Sequence, residues 1–118
     1  MSSADSAQQS SPLFSPLCKP AYSARLLEIM AQKQAMVFST TYCHYCTKAK
    51  KLLDKHSIGY TELMLDELNG PDQQEVANCI YGNDLPRGVP YIYLGQQRLG
   101  GFGELYELSK QDKLKPQQ

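Results

Sequence analysis

The sequence predicts an α/β domain built on a four-stranded mixed sheet with helices on both faces. Strand-like apolar runs alternate with amphipathic segments, so the order after the first helix is β-α-β-α-β-β-α. A strand–helix–strand unit requires a right-handed crossover and two parallel strands. Gly95 and Gln96 separate the last two strand-like runs and predict a hairpin, which adds two antiparallel strands.

Local signals set the predicted boundaries of these elements. Ser23 is a candidate cap for the first helix, and Pro71 and Gly82 mark the start and the end of the third. The run at residues 35–38 is wholly apolar, which is typical of a central strand. The predicted helices cover residues 23–33, 43–55, 69–82 and 104–110, and the predicted strands cover residues 35–38, 60–65, 91–94 and 97–99.

Length and charge limit the classes of function. The chain has 118 residues, enough for one modest core, and its 12 Lys and Arg balance 12 Asp and Glu. Such a balance gives no reason to expect nucleic acid or a membrane as a partner. No apolar stretch approaches the roughly 20 residues of a membrane span, and no secretory leader is expected. The cytoplasm is the expected location, with the mitochondrion as the alternative.

The first 21 residues differ in composition from the rest of the chain. They are rich in Ser, Gln and Pro, which predicts a disordered tail over residues 1–21 and a folded domain over residues 22–118. Cys18 is then an incidental thiol at the end of the tail. The apolar pattern of the third helix places Cys79 in the core as a small buried residue. The four cysteines show no paired framework, so we expect reduced thiols.

The motif Cys43-His44-Tyr45-Cys46 lies between the first predicted strand and a strongly helical segment. A thiol at the start of a helix is close to unpaired N–H groups and to the positive end of the helix dipole, which favour its thiolate. A thiolate at Cys43 is the nucleophile of disulfide exchange, and Cys46 can then attack the mixed disulfide. The motif therefore predicts redox chemistry.

Alternative interpretations of the motif and its surroundings remain open. A zinc site that combines Cys43 and Cys46 with Cys18 and Cys79 is formally possible, although the predicted burial of Cys79 argues against it. His44 is either a tolerated solvent-facing residue or, when protonated, a charge that favours the thiolate. Four lysines on the following helix form a solvated face, and those nearest the motif can attract anionic substrates: Lys48, Lys50, Lys51 and Lys55.

Three motifs together resemble the dithiol glutaredoxins: Thr41-Tyr42-Cys43-His44-Tyr45-Cys46, Val89-Pro90 and Gly100-Gly101. The resemblance covers about residues 23–112 and implies a thioredoxin-like fold. It further implies a glutathione-dependent oxidoreductase that reduces protein–glutathione mixed disulfides and protein disulfides. Its partners would be glutathione, as electron donor, and the proteins that carry these disulfides. A thioredoxin is the nearest alternative enzyme, but the chain lacks the tryptophan that usually precedes its motif.

The resemblance also implies a glutathione site. The proline that matches Pro90 is cis in the family, Val89 offers its backbone to the cysteine part of glutathione, and the helix after Gly101 receives the γ-glutamyl carboxylate. The implied binding positions are Thr40, Tyr45, Gln74, Arg87, Val89, Pro90, Gly101, Phe102, Gly103 and Glu104.

Several positions depart from the family pattern. Thr40 replaces a lysine, which predicts less Cys43 thiolate than is usual, and Gly88 and Gly103 replace polar residues. His44 replaces a proline, and family members without that proline sometimes bind a [2Fe-2S] cluster between two subunits. The alternative function is therefore a cluster carrier or sensor in which Cys43 and glutathione ligate the cluster of a dimer. Without a cluster, a monomer is expected.

Overall fold

The computed structural model describes residues 13–84 and 87–116. In this part of the chain, four helices and four strands follow one another in the predicted order. The helices are α1 (Pro20–Met30), α2 (His44–Lys55), α3 (Gly70–Ile80) and α4 (Phe102–Lys110), and the strands are β1 (Ala35–Ser39), β2 (Tyr60–Met64), β3 (Tyr91–Leu94) and β4 (Gln97–Gly100). A short 3₁₀ turn, Leu65–Glu67, follows β2.

The sheet has the strand order β2-β1-β3-β4 and is mixed, as predicted. Strand β1 pairs with β2 in parallel and with β3 antiparallel, so that Val37 lies between Glu62 and Ile92. The β3–β4 hairpin turns at Gly95 and Gln96, which both have a positive φ of about 60°. All five residues of β1 are buried, which confirms that its apolar run is the central strand.

Successive β1 side chains enter two different cores, because neighbouring residues of a strand point to opposite faces of the sheet. Ala35 and Val37 pack beneath α2 and α4, and Met36 and Phe38 pack beneath α1 and α3. The first core includes Ala49, Leu53, Ile58, Ile92, Leu105 and Leu114, and the second includes Leu26, Met30, Val76, Cys79, Ile80 and Tyr93. Within residues 13–84 and 87–116, no helix is both long enough and apolar enough to cross a bilayer.

Two helices begin earlier than the sequence predicts. Helix α1 starts at Pro20 rather than Ser23, because proline at the first helical position loses no hydrogen bond there. Helix α4 starts at Phe102 rather than Glu104. The Glu104 carboxylate folds back to accept the N–H of Gly101 at 2.9 Å, which extends the helix by a half turn toward the sheet.

Residues 13–19, which we call the N-terminal segment, lie against the domain. The Leu13 carbonyl oxygen accepts the Tyr93 hydroxyl at 2.7 Å, and the Phe14 ring centroid is 6.1 Å from that of Tyr93. The segment therefore differs from the predicted disordered tail, of which residues 1–12 lie outside the described residues. The average composition of the tail is polar, but its last part carries two apolar side chains that dock on the sheet.

A disulfide joins Cys18 of the N-terminal segment to Cys79 of α3. The prediction that Cys18 is an incidental thiol is wrong, and so is the prediction that the cysteines are unpaired. Cys79 is fully buried, as predicted, but it also holds the segment. The Ser15 N–H donates to the Cys79 carbonyl oxygen at 2.8 Å, so the disulfide is reinforced by a backbone hydrogen bond.

We predict that Cys18→Ser destabilises the oxidised protein. The disulfide spans a sequence separation of 61 residues and closes a large loop in the unfolded chain. Its loss removes this restriction and increases the conformational entropy of the unfolded state. The expected loss in the free energy of unfolding is about 2–4 kcal/mol. Guanidinium unfolding without reductant measures it. In a strong reductant, which opens the disulfides of both proteins, the wild type and the variant should be equally stable. Equal stabilities under oxidising conditions would contradict the prediction.

Candidate active site

The two cysteines of the motif lie at the N-terminus of α2 and are joined as a disulfide. Cys43 is the N-cap residue, with an extended backbone, and its sulfur accepts the N–H of Cys46 at 3.0 Å. Cys43 is half-buried, whereas only 2% of the Cys46 surface is exposed. An incoming sulfur can therefore reach Cys43 but not Cys46, and in the reduced protein the same N–H favours a Cys43 thiolate.

The loop before α2 is held by Asp66, a residue that the sequence analysis did not identify. The Asp66 carboxylate accepts the Thr41 hydroxyl at 2.6 Å and the Thr41 N–H at 3.1 Å. These bonds lower the pKa of Asp66, with the side-chain bond from Thr41 as the main cause. Strands β1 and β2 are parallel, so their carboxyl ends lie side by side. The position of an acidic residue just after β2 was the sequence signal that could have identified Asp66.

Seven of the predicted glutathione positions line one groove of about 680 Å³. The Val89–Pro90 peptide bond in this groove is cis, as the resemblance implied. Tyr45 brings the first turn of α2 to the same groove. The seven positions are Tyr45, Val89, Pro90, Gly101, Phe102, Gly103 and Glu104, and the remaining lining residues are Ile80, Tyr81, Asp84, Gly88, Tyr91 and Gly100.

The other three predicted positions do not line this groove. Thr40 lies in the turn before α2, where its carbonyl oxygen accepts the Cys43 N–H at 3.3 Å. The Gln74 side chain donates to Asn78 on the surface of α3 at 3.0 Å. Arg87 is exposed and donates to the Gly82 carbonyl oxygen at 2.9 Å. Contact of Gln74 and Arg87 with a carboxylate would require their side chains to reorient.

Helix α4 begins close to the cis-proline and follows two glycines. A Cβ atom at Gly101 would make an ordinary van der Waals contact with the Pro90 carbonyl oxygen, at 3.5 Å. Gly100 has φ +122°, and a Cβ atom there would lie 2.9 Å from Cδ of Glu104. The first turn of α4 therefore faces the groove, with the N–H groups of Phe102 and Gly103 free of intrahelical acceptors.

Aromatic rings line the approach to Cys43. The Tyr45 ring is half-exposed and lies 5.7 Å from that of Phe102, with the Lys48 ammonium 5.0 Å from its centroid. The His44 ring contacts Tyr45 edge-on at 5.8 Å. The entrance of the groove therefore presents aromatic faces and the Lys48 ammonium group.

Lys50 does not belong to the predicted solvated face, because it is partly buried and pairs with Glu62 at 2.9 Å.

Tyr81 is a second residue that the sequence analysis missed. It follows the last residue of α3 and is 6% exposed, and its hydroxyl donates to the Gly88 carbonyl oxygen at 2.6 Å. Burial raises the pKa of Tyr81 to about 12, so the hydroxyl keeps its proton at physiological pH. Nothing in the local sequence distinguishes this tyrosine from the other seven.

A Cys-x-x-Cys pair at the start of a helix, with Tyr45, which lies between the cysteines, and a cis-proline lining one groove on this sheet, defines the class of thiol–disulfide oxidoreductases with a thioredoxin-like fold. The glutaredoxin family model matches residues 35–99, which is more than half of the chain. The chain belongs to the glutaredoxin family, and its enzyme class is that of the family's thioltransferases. The predictions of family, fold and enzyme class are confirmed, and the thioredoxin alternative is set aside.

Individual relatives show the extent of the similarity. Glutaredoxin of Ricinus communis is 33% identical over 89 residues, which cover 75% of this chain and 85% of that protein. Mitochondrial glutaredoxin-2 of Homo sapiens is 33% identical over 92 residues, 78% of this chain and 55% of that protein. A buckwheat glutaredoxin–glutathione complex has a TM-score of 0.67 and 27% identity, and covers 77% of this chain and 81% of its own. Wheat glutaredoxin has a TM-score of 0.69 and 26% identity, with coverages of 85% and 92%.

We predict a pH-dependent effect of Asp66→Ala on stability. The folded-state pKa of Asp66 lies below its ordinary value of 3.8, so its bonds to Thr41 stabilise the fold above that pH and are lost as the pH falls through the folded value. The melting temperature of the variant should be below that of the wild type at pH 6. The gap should narrow as the pH falls below about 3.8, and a gap independent of pH would contradict this role.

Proposed function

We propose that this glutaredoxin uses glutathione to reduce protein–glutathione mixed disulfides and protein disulfides. The observation that supports this most directly is the groove of about 680 Å³ that begins at Tyr45, two residues from the reachable sulfur of Cys43. Its size lies within the range of small-molecule sites, about 300–1,000 Å³. A structural neighbour with a TM-score of 0.67 is a glutaredoxin–glutathione complex.

The groove offers backbone groups suited to an extended peptide. Within residues 13–84 and 87–116, the N–H and C=O of Val89 have no hydrogen-bond partner. The cysteine part of glutathione can pair with them as a short added strand. At the other end of the groove, the free N–H groups of Phe102 and Gly103 suit the γ-glutamyl carboxylate. Glu104 takes the neighbouring N–H of Gly101 and places a negative charge near the γ-glutamyl amine.

In the monothiol route only Cys43 exchanges sulfur partners. The Cys43 thiolate attacks the glutathione sulfur of a protein–glutathione disulfide, and the protein thiolate leaves and takes up a proton. A second glutathione, as its thiolate, attacks the glutathionyl sulfur on Cys43. Glutathione disulfide forms and the Cys43 thiolate is restored. Cys46 takes no part in this cycle, which agrees with its burial.

In the dithiol route Cys46 resolves a mixed disulfide with a protein. Cys43 first attacks a protein disulfide, and one of the two protein thiols leaves. The Cys46 thiolate then attacks the Cys43 sulfur, so that the second protein thiol is released and the Cys43–Cys46 disulfide forms. The structure contains this disulfide, which is the product of the route. Two glutathione molecules reduce it, and they leave as glutathione disulfide.

Other expectations stay predictions. The four cysteines lie in two separate disulfides, and within the described ranges no three ligating side chains cluster as a metal site. A [2Fe-2S] cluster would use Cys43, glutathione and a second subunit, and no described contact favours it over the monomer. The cytoplasmic location and the effect of Thr40 on the thiolate likewise remain predictions.

We predict that Cys46→Ser retains glutathione-dependent reduction of a glutathionylated peptide, whereas Cys43→Ser abolishes it. Only Cys43 exchanges sulfur partners in the monothiol cycle. The measurement is the rate of glutathione disulfide production, coupled to glutathione reductase. Cys46→Ser should at the same time lose the reduction of a protein disulfide, in which Cys46 acts as the resolving thiol.

Cys46→Ser is the matched control for Cys43→Ser, because each variant removes one sulfur of the motif. The circular dichroism spectra of both variants should match the wild type, so that lost activity cannot be ascribed to unfolding. A folded wild-type protein that does not react with glutathionylated peptide would contradict the proposed function. Equal losses in Cys43→Ser and Cys46→Ser would contradict the monothiol route.

A further inference from the structure

Among the described residues directly before the cis-proline, Val89 packs against the core but Gly88 is open to solvent. Gly88 has no side chain, and a Cβ atom built on it would find no neighbour within 4 Å. Arg87 and Gly88 are exposed, and Val89 is only half-buried. A short exposed segment of this kind samples several conformations unless a specific bond holds it.

The bond between Tyr81 and Gly88 supplies such a constraint. The Tyr81 hydroxyl donates to the Gly88 carbonyl oxygen at 2.6 Å, and this carbonyl belongs to the peptide unit whose N–H is that of Val89. Fixing the carbonyl oxygen therefore fixes the plane of that peptide unit and the direction of its N–H. The Val89 N–H is one of the two groups proposed to pair with an extended thiol peptide.

Tyr81 is itself held in place. Its ring packs edge-on against Tyr91 of β3 with a centroid distance of 5.2 Å. On the other side, the N-terminal segment and Tyr81 line one cavity, and Ser15 lies so close to Gly82 that a Cβ atom there would be 2.6 Å from the serine oxygen. The Cys18–Cys79 disulfide fixes the segment against the end of α3.

We propose that Tyr81 is a positioning residue that orients the Val89 backbone toward the thiol substrate. We further propose that the Cys18–Cys79 disulfide holds Tyr81 in place through the N-terminal segment. This proposal rests on the proposed function, because Val89 is the backbone that would bind glutathione. Tyr81 does not touch the reacting sulfurs. It controls the geometry of the hydrogen bonds made to substrates that carry a peptide backbone.

The test uses two small disulfide substrates, of which one carries a peptide backbone and the other does not. In a Cys46→Ser background, the reduced protein reacts with glutathione disulfide in one step: Cys43 takes one glutathionyl group and one glutathione leaves. With bis(2-hydroxyethyl) disulfide the same step transfers a mercaptoethanol group, which offers no peptide to Val89. Stopped flow followed by mass measurement gives both rates.

Adding Tyr81→Phe should slow the reaction with glutathione disulfide by about three- to tenfold, the usual effect of losing one hydrogen bond. The reaction with bis(2-hydroxyethyl) disulfide should keep its rate, and so should both reactions in the control Tyr60→Phe. A purely structural role would slow both reactions of Tyr81→Phe equally and would overturn the proposal. Unchanged rates would overturn it as well.

A second readout separates this proposal from the proposed function. NMR order parameters of the Gly88 and Val89 amides should fall in Tyr81→Phe, while those of β1 stay unchanged. If the wild type does not react with glutathione disulfide, the proposed function fails, and these order parameters alone decide whether Tyr81 holds the loop. Unchanged order parameters would contradict the positioning role.

The role of the Cys18–Cys79 disulfide in holding Tyr81 is tested by Cys18→Ser under the same conditions. Alkylation under denaturing conditions first counts the free thiols and confirms that Cys18–Cys79 is intact in the reference protein. The variant should show the same selective slowing with glutathione disulfide and the same fall in the order parameter of Val89. A wild-type rate and a wild-type Val89 order parameter would overturn the role of the disulfide and leave Tyr81 as the positioning residue.

Discussion

The hydrogen bond from the Cys46 N–H to the Cys43 sulfur is the interaction on which the site depends. It requires α2 to begin directly after Cys43, so that the first turn of the helix surrounds that sulfur with N–H groups. The start of α2 is set in turn by the loop that Asp66 holds through Thr41. The parallel pairing of β1 and β2 brings Asp66 there, so sheet topology and thiolate chemistry are linked.

Binding of the thiol substrate depends on a different set of contacts. The cis-proline loop, the two glycines before α4 and the ring of Tyr45 form the groove, and backbone N–H groups supply most of its proposed recognition. Asp84 and Glu104 line the same groove, whereas Thr40 takes the place of the family's lysine. Affinity for an anionic peptide would therefore come from directed backbone bonds more than from net charge.

Much of the fold could be predicted because its signals are local. The apolar β1 run, the glycine-containing hairpin turn and the helix after the Cys-x-x-Cys motif all depend on neighbouring residues. The Cys18–Cys79 disulfide could not be predicted, since it joins positions 61 residues apart on a segment that also docks Phe14 on Tyr93. Asp66 and Tyr81 were missed for the same reason: each acts on a loop from another element. Gln74 and Arg87 were placed by resemblance, but their side chains bond elsewhere.

The most direct test of the account is an NMR map of glutathione attached to Cys43 in the Cys46→Ser variant. Amide shifts would be compared before and after a single glutathionyl group is added. We expect the largest changes at Val89, Phe102 and Gly103, with small changes on the far side of the sheet around α1. Changes confined to His44 and Tyr45, with none at Val89, would show that the attached glutathione does not occupy the groove and would contradict the account.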